Sequence, residues 1–212
     1  VDQKFRTIIT GSNSKLLSKE IASKLGARTH GITILPLSFK EYAEFNGMVI
    51  KDDVEFITKK SELQRQFEAF EKFGGFPEIA KEDNLAKTTA LKTYLNLIVS
   101  DVVKRYQLNE QNVLLLIKKI RENIGNEFSI KSIRDDLQSI GFTIGERQVY
   151  EYFALIEQAF LVESIQQYKK SFSKRHLFRK TYFIDSGFAT LYDTTSEDFG
   201  IKLENTIFLE II

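Results

Sequence analysis

Only two prolines, Pro36 and Pro77, stand in a chain of 212 residues, and glycine is nearly as sparse at 11. Both residue types end or kink regular structure, so long stretches are left without a breaker. Within those stretches apolar residues recur at three- and four-residue spacing, which commits the chain to helices joined by short connections. With 42% apolar and 28% charged residues, such helices have enough material to bury one face and solvate the other. The expected fold class is mainly α, with an α/β edge at the start of the chain.

That edge is read from the first 37 residues. Residues 6–10 form a strand-like run closed by the turn cluster Gly11-Ser12-Asn13-Ser14. Leu16, Leu17, Ile21 and Leu25 then share one helix face up to Gly26, and Thr29 to Leu35 is a second β-like run closed by Pro36. Strand–helix–strand at this spacing suits the edge of a parallel sheet, yet it is too little sheet to stand alone. The chain opens at Val1 almost directly into a strand and closes inside an apolar periodic segment, so both ends read as cut from something longer.

Ser38-Phe39-Lys40-Glu41 has the S-x-x-E spacing of a capping box and predicts a helix through Phe45. Residues 46–60 read as polar and irregular. Helical spacing resumes from Ser61 to Phe73 and breaks at Gly74-Gly75-Phe76-Pro77. A long helix is expected from about Leu85 to Tyr106, with Leu91, Leu95, Ile98 and Val102 on its inner stripe. Three more helices follow: Val113–Ile124, one marked by Ile130, Ile133, Leu137 and Ile140, and one opened by a second capping box, Thr143-Ile144-Gly145-Glu146. Leu161–Tyr168 and Thr181–Ile184 alternate like paired strands. Three helices and then a two-stranded ribbon is the order of a winged helix.

Several chemistries are excluded by composition. The absence of cysteine removes disulfides, thiolate catalysis and zinc fingers, and suits a reducing cytoplasm. The two histidines, His30 and His176, are far apart, no serine-hydrolase elbow occurs, and no metal site is expected. No long uncharged apolar run suggests a membrane span. A net charge of +1 announces no global polyanion partner, so any nucleic-acid surface has to be local. The local candidate is the hairpin: Lys169, Lys170, Lys174, Arg175, Arg179 and Lys180, with Phe172 and Phe178 between them and no acid from Ser164 through Ile184. Arg147, on the preceding helix, could join them on a nucleic-acid groove. The competing reading is a solvated hairpin packed against a neighbouring domain.

Other residues carry two readings each. Gly74-Gly75-Phe76-Pro77 is either a plain helix–helix turn or a place where backbone approaches a ligand closely. Arg28 is either a surface ion-pair partner or a guanidinium aimed at phosphate, and Gly11–Ser14 is first of all a helix cap.

These pieces, in this order, resemble the prokaryotic AAA+ ATPases that carry a winged helix and a C-terminal nuclease-like domain of unknown function. The residues that carry the likeness are Ile8-Ile9-Thr10-Gly11-Ser12 through Leu17, Gly26-Ala27-Arg28, Leu35-Pro36-Leu37-Ser38-Phe39-Lys40-Glu41, Gly74 to Glu78, Tyr182 to Gly187, and Glu204-Asn205-Thr206-Ile207-Phe208. The resemblance implies four parts: 1–37 as the C-terminal edge of the AAA+ core, 38–107 as helical lid, 108–192 as winged helix, and 193–212 as the first helix of a further α/β domain.

The resemblance also assigns roles. Ser12 or Asn13 would be the sensor facing the γ-phosphate, and Arg28 an arginine finger acting on a neighbouring subunit of a homo-oligomer. Gly74, Gly75 and Pro77 would form the lid turn on the adenine side. Glu204 would match the first-helix glutamate of the nuclease-like domain. ATP and Mg²⁺ are implied for the intact parent and not for this chain alone, because no G-x-x-x-x-G-K-[ST] loop occurs in it. The expected function is the C-terminal portion of an ATP-hydrolysing protein whose lid and winged helix couple nucleotide state to DNA or a protein. Two alternatives are a non-enzymatic winged-helix DNA-binding protein and an interaction module of a defence or toxin-linked system.

Overall fold

A computed structural model describes residue 8, residues 10–11, 31–166, 178–191 and 199–212. The predicted capping box is present at its first site. The Ser38 side chain accepts from the Glu41 N–H while the Glu41 carboxylate takes the Ser38 N–H, starting α1 (Phe39–Phe45). The region read as irregular contains a helix, α2 (Asp53–Thr58), capped by Asp52 through the Glu55 N–H. It buries none of its residues, Val54, Phe56 and Ile57 being exposed, and six residues are too few to set a helical period.

α3 (Lys60–Phe73) stops at Gly74, whose φ of 77° is a left-handed conformation that ends the helix. Pro77 begins the short α4 (Pro77–Ala80), at the first-turn position where its missing N–H costs nothing. Asp83 caps the long α5 (Asn84–Tyr106) through the N–H groups of Leu85 and Ala86. Leu91, Leu95 and Val102 are buried on the predicted stripe, and Val99 joins them.

α6 (Glu110–Glu122), α7 (Ile130–Ser139) and α8 (Glu146–Gln158) pack around one apolar centre that includes Leu116, Ile117, Ile120, Ile133, Leu137, Val149 and Phe153. Two local expectations are corrected here. Ile140 is not on the inner stripe of α7, since it caps that helix and is 52% exposed. No capping box forms at Thr143, because the N-cap of α8 is Gly145, two residues later, and it makes no side-chain bond. Ile144 is drawn into the core at 2% exposure, and its carbonyl accepts from Gln138.

β1 (Val162–Gln166) pairs antiparallel with β2 (Arg179–Phe183), Val162 opposite Phe183 and Gln166 opposite Arg179. β2 leads into α9 (Ser186–Thr190), and α10 (Phe199–Ile211) closes the described chain. The main core runs without interruption from Phe73, Ile79 and Leu91 through the α6–α8 centre to Phe183, Phe188 and Phe208. Among the described residues the architecture is mainly helical with one small two-stranded sheet. Among the described residues, no helix is long and apolar enough to cross a membrane.

Candidate functional site

The Gly74-Gly75 turn is where three parts of the chain meet. Asp185, at the end of β2, is 1% exposed and caps α9 through the Gly187 N–H at 2.8 Å. Its second carboxylate oxygen accepts the Gly75 N–H at 2.7 Å, 110 residues away in sequence. The carbonyl of the same Gly75 accepts from the Leu37 N–H at 2.9 Å, just where the Leu35-Pro36-Leu37 segment leads into α1. Glycine is required twice. A Cβ on Gly74 would stand 1.7 Å from Asp185 Oδ1, and one on Gly75 would stand 2.2 Å from the Leu37 carbonyl oxygen.

Burial pushes the Asp185 carboxyl up to about 7, against the two N–H groups that favour its anion. Beside it is a small cavity of about 140 Å³ bordered by Leu35, Leu37, Ser38, Glu41, Gly75 and Asp185. Further bonds fasten the same junction. Ser186 donates to the Phe70 carbonyl at 2.9 Å, Thr190 to the Lys72 carbonyl at 2.7 Å, and the Phe39 N–H donates to Glu210 of α10 at 2.6 Å.

α10 is fastened to β2 through Asn205, Phe208 and Glu204. The side chain of Asn205, fully buried, accepts the Phe183 N–H at 2.8 Å and donates to the Phe183 carbonyl at 3.1 Å. Phe208 stacks on Tyr182 with ring centroids 4.1 Å apart. Glu204, the residue that the nuclease-like resemblance singled out, accepts from Tyr182 at 2.9 Å and Lys180 at 3.1 Å. Burial, and then the bond to Glu204, raise the Tyr182 phenol to about 12. Among the described residues, no group of three or more His, Cys, Asp or Glu is placed to hold a metal ion.

Of the basic residues expected at a nucleic-acid surface, Arg147 has a side chain 93% exposed and bonds Glu151 one turn along α8 at 2.9 Å. Tyr150 on the same helix is 57% exposed. The expectation is corrected at Arg179. This residue is 6% exposed, its guanidinium lies 4.8 Å from the centre of the Phe153 ring, and its partner is Glu157 at 4.0 Å. Strand alternation turns Arg179 toward α8, so its charge is used internally. Lys180, next along the strand, is partly exposed and paired with Glu204. Lys169, Lys170, Lys174 and Arg175 lie outside the described residues, as do Ser12, Asn13 and Arg28.

A second cluster sits on the other side of α3. Glu71 is 7% exposed, and its carboxyl is raised chiefly by burial, with Lys202 acting the other way. Lys87 is also 7% exposed, its amine lowered by burial and lying 5.4 Å from the centre of the Phe73 ring. Glu71, Lys72, Lys92 and Lys202 border a cavity of about 580 Å³.

Comparison with known proteins places the chain. A family model described as "Domain of unknown function (DUF8612)" matches residues 64–198. The chain belongs to that family. A second model, described as an AAA domain, matches residues 1–43, so the segment leading into α1 is similar to part of an AAA domain. An uncharacterized protein of Methanocaldococcus jannaschii is 36% identical over 213 residues, which is 99% of this chain and 48% of the relative. An uncharacterized protein of Haemophilus influenzae is 28% identical over 212 residues, 97% of this chain and 50% of that relative. The chain spans about half the length of these curated relatives. No solved structure matches it.

The DUF8612 match begins within α3 and runs past α9, so it takes in both partners of the Asp185–Gly75 bond. Asp185-Ser186-Gly187 after a strand has the composition of an ordinary turn. Its local chemistry is a turn indeed, but the Gly75 partner is not visible in local spacing.

Proposed function

We propose that this chain is the C-terminal portion of an AAA-type ATP-binding protein, in which a helical lid and a winged helix carry nucleotide state to a DNA or protein partner. The observation that carries the reading is the AAA-domain match over residues 1–43, which runs straight into the capped helix α1. A second observation supports it: Ile32 and Ile34, on the β-like run before Pro36, are 84% and 89% exposed. Alternating apolar residues of this kind are at home in a sheet covered by neighbours. In relatives about twice as long, the other half of the protein would supply such neighbours.

In this reading α1–α5 form the lid and α6–α8 with β1 and β2 form the winged helix. Residues 1–37 are the core edge and α10 opens the next domain. Ser12 or Asn13 would sense the γ-phosphate, and Arg28 would stabilise transition-state charge in an adjoining subunit. Gly74, Gly75 and Pro77 would lie at the adenine side. The described residues do not by themselves fit a triphosphate with its metal. The Gly75 N–H and carbonyl are taken by Asp185 and Leu37, the Gly74 N–H is taken by the Phe70 carbonyl, and among the described residues no carboxylate cluster stands ready for a cation. ATP and Mg²⁺ are therefore assigned to the full-length protein.

What these residues do is hold a lever. Hydrogen bonds of Asp185, Ser186 and Thr190 join the end of the wing to α3 and the glycine turn, and Glu210 joins α10 to α1, so in this reading lid and winged helix move together. Arg147 presents a charge on the open face of α8, where it would meet a phosphate backbone or an acidic protein.

Two measurements test the reading. The full-length protein should hydrolyse ATP, and Arg28→Ala should lower its turnover with little change in nucleotide affinity. Isothermal titration of the 212-residue chain with ATP–Mg should show no saturable micromolar binding. If turnover is unchanged in Arg28→Ala, the finger is elsewhere. If the full-length protein neither binds nor hydrolyses ATP, and the winged helix binds DNA tightly with steep salt dependence, the non-enzymatic reading replaces this one.

A further inference from the structure

We propose that Gly75 is a relay that carries the position of the Asp185 carboxyl to the point where the AAA-like segment joins the helical unit. Both polar groups of this one residue are used. Its N–H donates to Asp185 Oδ2 at 2.7 Å and its carbonyl accepts from the Leu37 N–H at 2.9 Å. Asp185 cannot shift without moving the peptide on the N-side of Gly75, and Leu37 cannot shift without moving the peptide on its C-side.

The space around the relay leaves little room to absorb such a movement. The carboxyl is held on its other oxygen by the Gly187 N–H at 2.8 Å. Gly74 approaches it so closely that the smallest side chain would overlap Asp185 Oδ1, and Gly75 approaches the Leu37 carbonyl almost as closely. α9 is tied at the same end to the last turn of α3 through Ser186 and the Phe70 carbonyl. A cavity of about 140 Å³ lies next to the three partners, bordered by Leu35, Pro36, Leu37, Gly75 and Asp185. A junction packed this way has discrete arrangements, and a bias at one end is felt at the other.

Asp185 is a positioning residue in this account. The consequence for regulation rests on the reading above, that the glycine turn lies on the nucleotide side. Nucleotide occupancy would then alter the Leu37–Gly75–Asp185 line and reach the wing through β2, whose last residues precede Asp185. The reverse also holds: a partner that pulls on the wing would change the affinity for nucleotide by the same factor.

Residue-resolved amide hydrogen exchange on the full-length protein tests the relay without nucleotide. In the wild type, the Gly75 and Leu37 amides should open together, within about threefold of one another after correction for intrinsic rates. Asp185→Asn, which keeps the shape but cannot accept both N–H groups, should speed exchange at both amides by about tenfold or more. Ile117 and Ile120 in the α6 core should be unaffected. Ser186→Ala, which removes the tie to Phe70 but leaves the carboxyl, should leave Leu37 unchanged.

Leu37 protection unaltered in Asp185→Asn would overturn the relay. So would independent opening of Leu37 and Gly75 in the wild type, a comparison that decides the matter even where the variant does not fold. An intact relay that does not respond to ATP–Mg would leave the relay standing and remove the nucleotide reading instead.

Discussion

The Asp185 junction and the open face of α8 use charge in opposite ways. At the junction a single carboxyl is withdrawn from water, holds two backbone N–H groups and leaves no room for a side chain on Gly74. On α8, Arg147 stands almost wholly in solvent and bonds a glutamate one turn away. A buried polar group whose partners are fixed specifies one arrangement of the chain, whereas an exposed ion pair contributes little to stability and can exchange its partner. Shape is therefore set at the junction, and recognition is left to the surface. Arg179 and Lys180 show the same division within two residues, one packed over Phe153 and the other paired at the partly exposed edge.

The largest effect should come from Gly74→Ala. The new methyl would stand 1.7 Å from Asp185 Oδ1 at a backbone φ of 77°, so both the turn and the carboxyl have to move. A loss of about 3 kcal/mol or more is expected in denaturant unfolding. An alanine accepted at no cost would show that the junction is looser than the packing implies.

Asn205→Ala comes next. It would leave the Phe183 N–H and carbonyl without partners at a site with no access to water, costing about 2–3 kcal/mol by the same measurement. The effect should be similar in Asn205→Leu, since polarity and not volume is what the site needs.

Asp185→Asn tests the junction through pH. The folded carboxyl titrates near 7 and the ordinary value is 3.8, so the unfolded chain gives up this proton first as pH rises. Stability should fall between about pH 4 and pH 7. Glu71, also raised by burial, adds a slope of the same sign, while Glu41, on the same cavity as Asp185, is lowered by its bonds to Ser38 and adds the opposite one. The variant should keep those contributions and lose that of Asp185, so the fall across this window becomes shallower. An unchanged slope would mean that Asp185 stays ionised in the folded protein.

The smallest effect on the fold belongs to Arg147→Ala, which should leave thermal unfolding unaltered. If DNA is the partner, it should reduce the salt dependence of binding by about one counterion. A marked loss of stability would place Arg147 with the structural charges and erase the contrast with the junction.

Much of the helical organisation was legible because its causes are local. Ser38 and Glu41 cap α1 across three residues, and Leu91, Leu95 and Val102 share one side of α5 whatever lies opposite. The failures were also local in origin. Thr143 and Glu146 have the spacing of a capping box, but α8 takes Gly145 as its N-cap, two residues on, and Ile144 just before it is buried. α2 is not legible because its six residues are too few to set a period, although Val54 and Ile57 stand one turn apart.

The junction was legible only in part. Two adjacent glycines before a proline, and an Asp-Ser-Gly after a strand, each announce an unusual backbone. Nothing in either segment says that they meet across 110 residues, because that contact is made by the fold as a whole. The same holds for Asn205, whose partner Phe183 is an ordinary core residue by composition.

The most direct test of the central claim is amide exchange on the full-length protein with and without a non-hydrolysable ATP analogue and Mg²⁺. The account predicts that nucleotide changes protection at Leu37 and Gly75, and with them at Gly187 beyond the Asp185 carboxyl. A nucleotide that binds and alters the AAA-like segment but leaves all three amides as they were would contradict it.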